Sequence, residues 1–285
     1  MKKESKNFLL KRKIIECLNN KRKNKYIKAK NIFIFDELDS TNNKAKEYLQ
    51  KKGNKVSEIK VILADKQKKG RGRRGNSWLS YNEKGLWASF LFDLDMPREK
   101  IPQITVIGAL TVQETLKKYN INSQIKWPND VLVKGKKISG ILTEMVLTDK
   151  KTAPSIIMGI GLNINQDNFA ENISETATSI YRVNGRYLDK NEVFCELFMI
   201  FTEFLDQYIW GSRKKIIDSW KKELNIIGKQ LELTYESKIF KVYVIDILDN
   251  GELYCRLKNG QTKIFPTAGT SLDFTSIKKD EKQEK

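Results

Sequence analysis

The segment from Gly70 to Trp78 reads Gly-Arg-Gly-Arg-Arg-Gly-Asn-Ser-Trp and has the strongest chemical character in the sequence. Glycine lets a backbone approach a ligand closely, and arginine offers forked donors that fit phosphate and carboxylate groups. The segment therefore predicts a loop that binds an anionic ligand. It is not a Walker loop, because no Lys-Ser or Lys-Thr pair closes it. A basic, glycine-rich loop that touches RNA has the same composition, so that alternative stays open.

A second polar cluster is the run Lys126-Trp127-Pro128-Asn129-Asp130, which sets an amide beside a carboxylate in a proline-containing turn. Hydrogen bonds within the turn alone could account for the last two residues. Asp130 could instead help to hold a hydrated Mg²⁺ ion beside a nucleotide phosphate.

A third candidate is Lys137, in the run from Lys136 to Glu144. A surface lysine on a strand is the simpler interpretation. Gly140 argues for a ligand nearby, because a glycine inside a strand often marks close approach of a ligand or another backbone. Alternation alone does not settle which way Lys137 faces.

Three further polar segments are less specific. The run from Asp39 to Asn43 suits a helix cap, although its hydroxyls could also bind a polar ligand. The runs Gly159 to Asn165 and Ala177 to Ile180 carry glycines or hydroxyl groups at the ends of apolar stretches.

Composition limits the chemistry. The chain has no histidine, which excludes an imidazole base, a histidine triad and an ordinary zinc site. Its three cysteines are far apart and suggest neither a disulfide framework nor a metal site. The net charge of +18 fits nucleic acid, an acidic partner or a solvated basic surface. No apolar run is long enough to span a membrane and no signal-peptide core is present, so we expect a cytoplasmic protein.

Apolar periodicity predicts a mixed α and β chain whose strands must position these segments. Strands are expected at residues 32–35, 60–64, 86–92, 124–126, 131–133, 137–146 and 155–162. Helices are expected at residues 8–19, 42–52, 104–119, 191–208 and 212–224. Short alternating strands at 231–235, 241–247, 253–257 and 263–266, with Asp-Asn-Gly and Asn-Gly turns between them, predict a small β-barrel.

Taken in their order along the chain, the polar segments resemble the bacterial biotin protein ligases. The resemblance covers roughly Ile32 to Leu224, with Gln67 preceding the arginine loop. It implies an α+β fold with a mixed seven-stranded sheet backed by helices, followed by a small SH3-like β-barrel. The domains would be an N-terminal helix and basic tether (1–30), the catalytic domain (31–226), the SH3-like domain (227–275) and a charged tail (276–285). Because the winged-helix repressor domain of bifunctional members is not seen, we expect a monofunctional ligase.

The resemblance also implies the reaction: biotin and ATP form biotinyl-5′-AMP, and biotin passes to a lysine of a biotin carboxyl carrier protein, with Mg²⁺ at the phosphates. The residues implied to be catalytic are Lys137, Arg73 and Asp130. Those implied to bind biotin are Ser40, Thr41, Asn42, Gln67, Arg71, Gly72, Arg73, Lys137 and Gly140. Those implied to bind ATP are Arg71, Arg73, Trp78, Asn129, Lys137 and Asn163. The arginine loop would order over the bound ligands.

The chemistry agrees with these roles, because a carboxylate and an α-phosphate repel each other unless cations such as Lys137, Arg73 and Mg²⁺ neutralise them. In the second step, Asp130 is the carboxylate expected to assist deprotonation of the acceptor lysine. Asn76 departs from the family pattern, in which a further basic residue is common, so its part in phosphate binding is in doubt.

Two other functions remain open. A lipoate or octanoate ligase shares the fold, although those families carry a histidine that this chain lacks. A basic nucleic-acid-binding protein would show steep salt dependence. We predict no specific DNA binding and an acidic acceptor, and a homodimer formed through a sheet edge stays open.

Overall fold

A computed structural model describes residues 8–21, 28–52, 58–80, 82–147 and 154–279. Its main body is a seven-stranded sheet in the order β1-β2-β3-β7-β6-β5-β4. The strands are β1 (Ile32–Leu38), β2 (Lys60–Gln67), β3 (Gly85–Asp93), β4 (Gln124–Lys126), β5 (Asp130–Val133), β6 (Lys136–Val146) and β7 (Ser155–Asn163). The pair β1 and β2 is parallel, and the other neighbours are antiparallel. The predicted mixed sheet of seven strands is therefore confirmed.

The parallel pair is joined by α2 (Thr41–Lys52), as a crossover connection requires. The helix lies against the sheet through Ala45 and Leu49, which form a small apolar cluster with residues of β2, β3 and β7. Its first turn stands over the middle of the central strands, because Asn42 contacts Ser89 of β3 and Leu142 of β6.

The other face of the sheet is covered by further helices. These are α1 (Lys11–Lys21), α3 (Ile101–Lys118), α5 (Lys190–Trp210) and α6 (Arg213–Leu224), with a short α4 (Ile180–Asn184) that was not predicted. A cluster of phenylalanines joins α5 to β3, with the rings of Phe90 and Phe201 stacked 4.7 Å apart. Among the residues that the structure describes, no helix has both the length and the apolar character to cross a membrane.

The N-terminal helix belongs to this core. Leu9, Ile14 and Leu18 are buried in it, and the Leu9 amide donates to Asp65 Oδ1 at 3.2 Å. Residues 22–27 of the predicted basic tether lie outside the described residues.

The C-terminal part forms a second, antiparallel sheet of five strands in the order β11-β10-β9-β8-β12. Its strands are β8 (Lys229–Tyr235), β9 (Lys238–Ile247), β10 (Leu253–Leu257), β11 (Thr262–Phe265) and β12 (Thr270–Lys279). Gly251 and Gly260 take positive φ values of 85° and 86°, as the predicted turns require. The strand β12 was not predicted. It includes residues 276–279, which we had assigned to the tail, and residues 280–285 lie outside the described residues.

Candidate functional site

A pocket of about 220 Å³ lies between the end of the first sheet, the arginine loop and β12 of the second sheet. Every residue predicted for the site lines it except Asn163. The predicted residues at the wall are Ser40, Thr41, Asn42, Gln67, Arg71, Gly72, Arg73, Trp78, Asn129, Asp130, Lys137 and Gly140.

Asn163 is buried at the end of β7, and its carboxamide serves the structure. Its Nδ2 donates to the Thr178 carbonyl at 3.0 Å, and its Oδ1 accepts from Gln166 Nε2 at 3.3 Å. The amide holds the segment after β7 in place and does not line the pocket.

The arginine loop is a folded hairpin. Two backbone hydrogen bonds hold it closed. The Trp78 amide donates to the Gly70 carbonyl at 2.9 Å, and the Gly72 amide donates to the Asn76 carbonyl at 2.7 Å. A Cβ atom at Gly70 would lie 2.3 Å from the Trp78 carbonyl oxygen, so only glycine fits there. The composition allowed a flexible basic loop, whereas the hairpin holds the arginines at defined places over the sheet.

One end of the pocket is a chain of neutral polar groups. The Gln67 Oε1 atom accepts from the Thr41 amide at 2.8 Å and from the Thr41 hydroxyl at 3.2 Å, while Gln67 Nε2 donates to Ser80 Oγ at 3.1 Å. Ser89 Oγ lies 2.7 Å from Thr41 Oγ1 and 2.6 Å from Asn42 Oδ1. These buried donors and acceptors orient one another, as satisfied buried polar groups must. They form a wall suited to a neutral polar ligand group.

Glu144, a carboxylate that was not predicted for the site, lies behind this wall. It accepts from Asn42 Nδ2 at 2.9 Å and from Lys46 Nζ at 2.8 Å, and Arg71 Nη2 lies 3.2 Å from it. Burial raises the pKa of Glu144, but the hydrogen bonds and charges of these neighbours outweigh it and leave the pKa below its usual value. Glu144 is therefore an anion that ties the helix, the loop and β6 together.

The centre of the pocket is built on Trp78. A Cβ atom at Gly161 would lie 2.6 Å from Trp78 Cε2, and one at Gly140 would lie 3.0 Å from Trp78 Cζ3. Trp87 meets the indole edge to face at 6.2 Å. The buried Trp78 Nε1 has no hydrogen-bond partner within the structure described. The two glycines thus leave the space in which the Trp78 ring packs against the sheet.

The opposite end of the pocket carries charge. Lys137 Nζ lies 2.8 Å from Asp130 Oδ1 and 5.2 Å from the centre of the Trp78 ring. The contact with Asp130 is an ion pair between the ammonium group and a buried carboxylate oxygen. The register between β5 and β6 shifts by one residue next to Val131, which pairs with Ser139 while Leu132 pairs with Lys137. This bulge, and not simple alternation, turns the lysine into the pocket.

Arg73 links the loop to the second sheet. Its guanidinium donates to Asn129 Oδ1 at 2.9 Å and to the carbonyl oxygen of Thr267. Burial lowers the pKa of Arg73, and the neighbouring Arg74 lowers it further, whereas Asp130 raises it. The turn that carries Asn129 contains a cis Trp127–Pro128 peptide bond.

The sequence reasoning missed pocket residues that lie far from the polar runs. Trp87 comes from the middle of β3, and Thr270, Ser271 and Leu272 come from the unpredicted strand β12. No local signal separates Trp87 from the other aromatic residues of the same strand, Phe90 and Phe92, because all three fit a buried strand.

The chain is similar in sequence to known protein ligases. Residues 34–163 match the model of the biotin/lipoate A/B protein ligase family. The bifunctional ligase/repressor BirA of Bacillus spizizenii is 32% identical over 233 residues, which cover 81% of this chain and 70% of that protein. The chain belongs to the biotin protein ligase family.

A solved structure and a second sequence relative support the same assignment. The biotin protein ligase from Aquifex aeolicus, in complex with biotin and ATP, is 30% identical with a TM-score of 0.71, and the match covers 86% of this chain and 99% of that one. The biotin–[acetyl-CoA-carboxylase] ligase of Mycobacterium tuberculosis is 28% identical over 142 residues, 48% of this chain and 50% of that protein.

Proposed function

We propose that this protein is an ATP-dependent biotin protein ligase that forms biotinyl-5′-AMP and transfers the biotinyl group to a lysine of a biotin carboxyl carrier protein. The observation that carries the proposal is the pocket itself, in which a neutral polar end and a cationic end lie on either side of Trp78. Biotin has a neutral ureido ring at one end and a carboxylate at the other, so its two ends match the two ends of the pocket.

The polar end is proposed to bind the ureido ring. A urea group carries one carbonyl acceptor and two N–H donors. Ser40, Thr41 and Gln67 offer both donors and acceptors at this end, with the loop backbone at Arg71 and Gly72 above them. Asn42 completes the wall. The rest of the bicycle would pass Gly140, where Trp78 and Lys137 already lie so close that a side chain would leave no space for a ligand.

The cationic end is proposed to perform the first step. A carboxylate oxygen of biotin attacks the α-phosphorus of ATP, a new P–O bond forms, and pyrophosphate leaves with the electrons of the broken bond. Both reactants are anions, so the protein must neutralise them and hold them in line. Lys137 and Arg73 supply positive charge, Asn129 fixes the Arg73 guanidinium, and Trp78 offers an aromatic face to the adenine.

Mg²⁺ is proposed to accompany the nucleotide. Within the described residues, no group of three or more acidic or sulfur side chains could form a closed metal site. Asp130, which lines the pocket and pairs with Lys137, is the carboxylate that could reach a cation bound mainly by phosphate oxygens. When bound, the ion would add charge neutralisation at the phosphates.

The second step needs the acceptor lysine in its neutral form. Its amine attacks the biotinyl carbonyl, AMP leaves, and the amine loses a proton. Asp130 is the proposed acceptor of that proton, because it is the carboxylate that lines the pocket beside the reacting groups. A net charge of +18 would also favour encounter with an acidic carrier domain.

The test is to incubate the protein with biotin, MgATP and an apo carrier domain, and to look for the biotinyl group by mass spectrometry of the carrier. A parallel reaction with lipoate in place of biotin checks the specificity. Modification by lipoate but not by biotin would refute the assignment.

A further inference from the structure

We propose that Glu144 is a positioning residue for biotin, acting through the carboxamide of Asn42 and the guanidinium of Arg71. This role presupposes the biotin-binding function proposed above. Glu144 itself does not line the pocket, whereas both residues through which it acts do.

Glu144 reaches these partners because of its place on β6. It pairs with Ile157 of β7, and Leu142, two residues earlier on the same face of the strand, lines the pocket. The first turn of α2, which carries Asn42, covers that face. The side chain of Glu144 is only 18% exposed, so its charge must be met by protein groups.

Three donors from two elements meet that charge. Asn42 and Lys46 come from successive turns of α2, at 2.9 Å and 2.8 Å, and Arg71 comes from the loop at 3.2 Å. A carboxylate that receives two cations and an amide is held more firmly than one in a single surface ion pair. Helix, loop and sheet are therefore fixed relative to one another at this carboxylate.

The first consequence is the orientation of Asn42. Only the amide nitrogen can donate to a carboxylate, so the contact with Glu144 turns Asn42 Oδ1 toward Ser89 Oγ, at 2.6 Å. A Cβ atom at Gly159 would lie 2.3 Å from that oxygen, which shows how closely the amide is packed. Reversing the amide would set an oxygen against the carboxylate. The Leu142 carbonyl accepts from the same Nδ2 atom at the longer distance of 3.3 Å, so Glu144 is the closer and charged partner that favours this arrangement of the polar wall.

The second consequence is the tether of the arginine loop. Arg71 uses Nη2 for Glu144 and Nη1 for Asn43 Oδ1, at 2.8 Å, so its fork spans β6 and the first turn of α2. This fork holds the start of the hairpin over the polar end of the pocket. Because Lys137 and Arg73, which are proposed to supply the charge for adenylation, lie at the other end, loss of the tether should weaken biotin binding far more than it slows chemistry.

The test is the variant Glu144→Gln, which keeps the size and loses the charge. We expect the Kd and KM for biotin to rise about tenfold or more, from the loss of charge-assisted hydrogen bonds. The KM for ATP, and kcat at saturating biotin, should stay within about twofold. Biotin affinity is measured by calorimetry, and adenylation by biotin-dependent pyrophosphate release.

The matched control is Glu47→Gln, which removes a carboxylate paired with Lys44 on the exposed face of the same helix. It should leave the biotin constants unchanged. Glu144→Asp keeps the charge but is too short to reach all three donors, and it should raise the KM for biotin to an intermediate value. If Glu144→Gln does not fold, the KM for biotin of Glu144→Asp tests the proposal in its place.

A purely structural role would lower stability or kcat and leave the biotin constants unchanged. That pattern, or an unchanged Kd for biotin in both Glu144 variants, would overturn the proposal. Failure of the wild-type protein to release pyrophosphate with biotin would instead refute the function proposed above, so the two failures can be told apart.

Discussion

Lys137 and Asp130 face each other across the bulge between β5 and β6, with 2.8 Å between Nζ and Oδ1. The pair keeps a cation and an anion at the charged end of the pocket, and both side chains are partly buried. In the proposed mechanism, an incoming phosphate would pair with the lysine and a cation would pair with the aspartate.

Removing the lysine should therefore remove most of the adenylation activity. We expect Lys137→Ala to reduce kcat for biotin-dependent pyrophosphate release by about a hundredfold or more, because a preorganised charge at the phosphate is lost. The neighbouring exposed Lys136, which pairs with Glu175, provides the control. Lys136→Ala should keep the wild-type rate, and a Lys137→Ala enzyme of full activity would exclude that residue from the mechanism.

The glycines beneath Trp78 allow a graded test of the pocket. An alanine Cβ would come to 2.6 Å from the indole at Gly161 and to 3.0 Å at Gly140, so Gly161→Ala should be the more harmful change. We expect Gly161→Ala to cost about 1–3 kcal/mol of unfolding free energy through overpacking. It should also raise the KM for ATP.

Combining Gly161→Ala with Trp78→Phe provides the check on that explanation. The smaller ring should restore part of the lost stability, measured by urea unfolding. If the double variant is no more stable than Gly161→Ala alone, the contact with the indole is not the cause.

Arg73 should matter through its geometry as well as its charge. Its fork reaches Asn129 on one side and the Thr267 carbonyl on the other, which a lysine cannot do. We expect Arg73→Lys to slow adenylation about tenfold. It should also increase hydrogen exchange across residues 267–272. Arg186→Lys, in an exposed loop, is the control, and unchanged exchange in Arg73→Lys would contradict the proposed link between loop and second sheet.

Local patterns predicted the elements of the fold well, because apolar periodicity follows from which face of each element is buried. All seven strands of the first sheet and the long helices lie close to their expected ranges. The strand β12 was missed because its sequence, Thr270 to Lys279, is largely polar and follows a turn without a strong alternation.

The site was predicted as a set of residues but not as a set of contacts. The direction of the Lys137 side chain depends on a one-residue bulge. The direction of the Arg73 side chain depends on Thr267, which is 194 residues further along the sequence than Arg73. Glu144 has its role only because α2 and the loop converge on it. Asn163 was placed at the nucleotide by its position in a motif, whereas its amide is engaged with Thr178. Such contacts are tertiary, and no local pattern encodes them.

The buried ion pair between Lys190 and Asp65 supplies a prediction about stability. Their side chains are 0% and 3% exposed, with 2.6 Å between Nζ and Oδ1. Removing one partner leaves a buried charge unpaired, so Lys190→Met should cost about 3–5 kcal/mol of unfolding free energy. Asp65→Asn keeps an acceptor for the Leu9 amide, and adding it to Lys190→Met should recover part of the loss. A double variant as unstable as the sum of the two singles would contradict this account.

The same pair should make stability depend on alkaline pH. Burial lowers the pKa of Lys190 below its ordinary value of 10.5, and Asp65 opposes that shift only in part. Between the folded pKa and 10.5, the unfolded chain binds more protons than the folded one, so the contribution of Lys190 to stability grows as the pH rises. The difference in unfolding free energy between wild type and Lys190→Met should therefore increase with pH across that window, measured by urea unfolding at a series of alkaline pH values. A difference that shrinks with pH would mean that Asp65 raises the pKa of the lysine by more than burial lowers it.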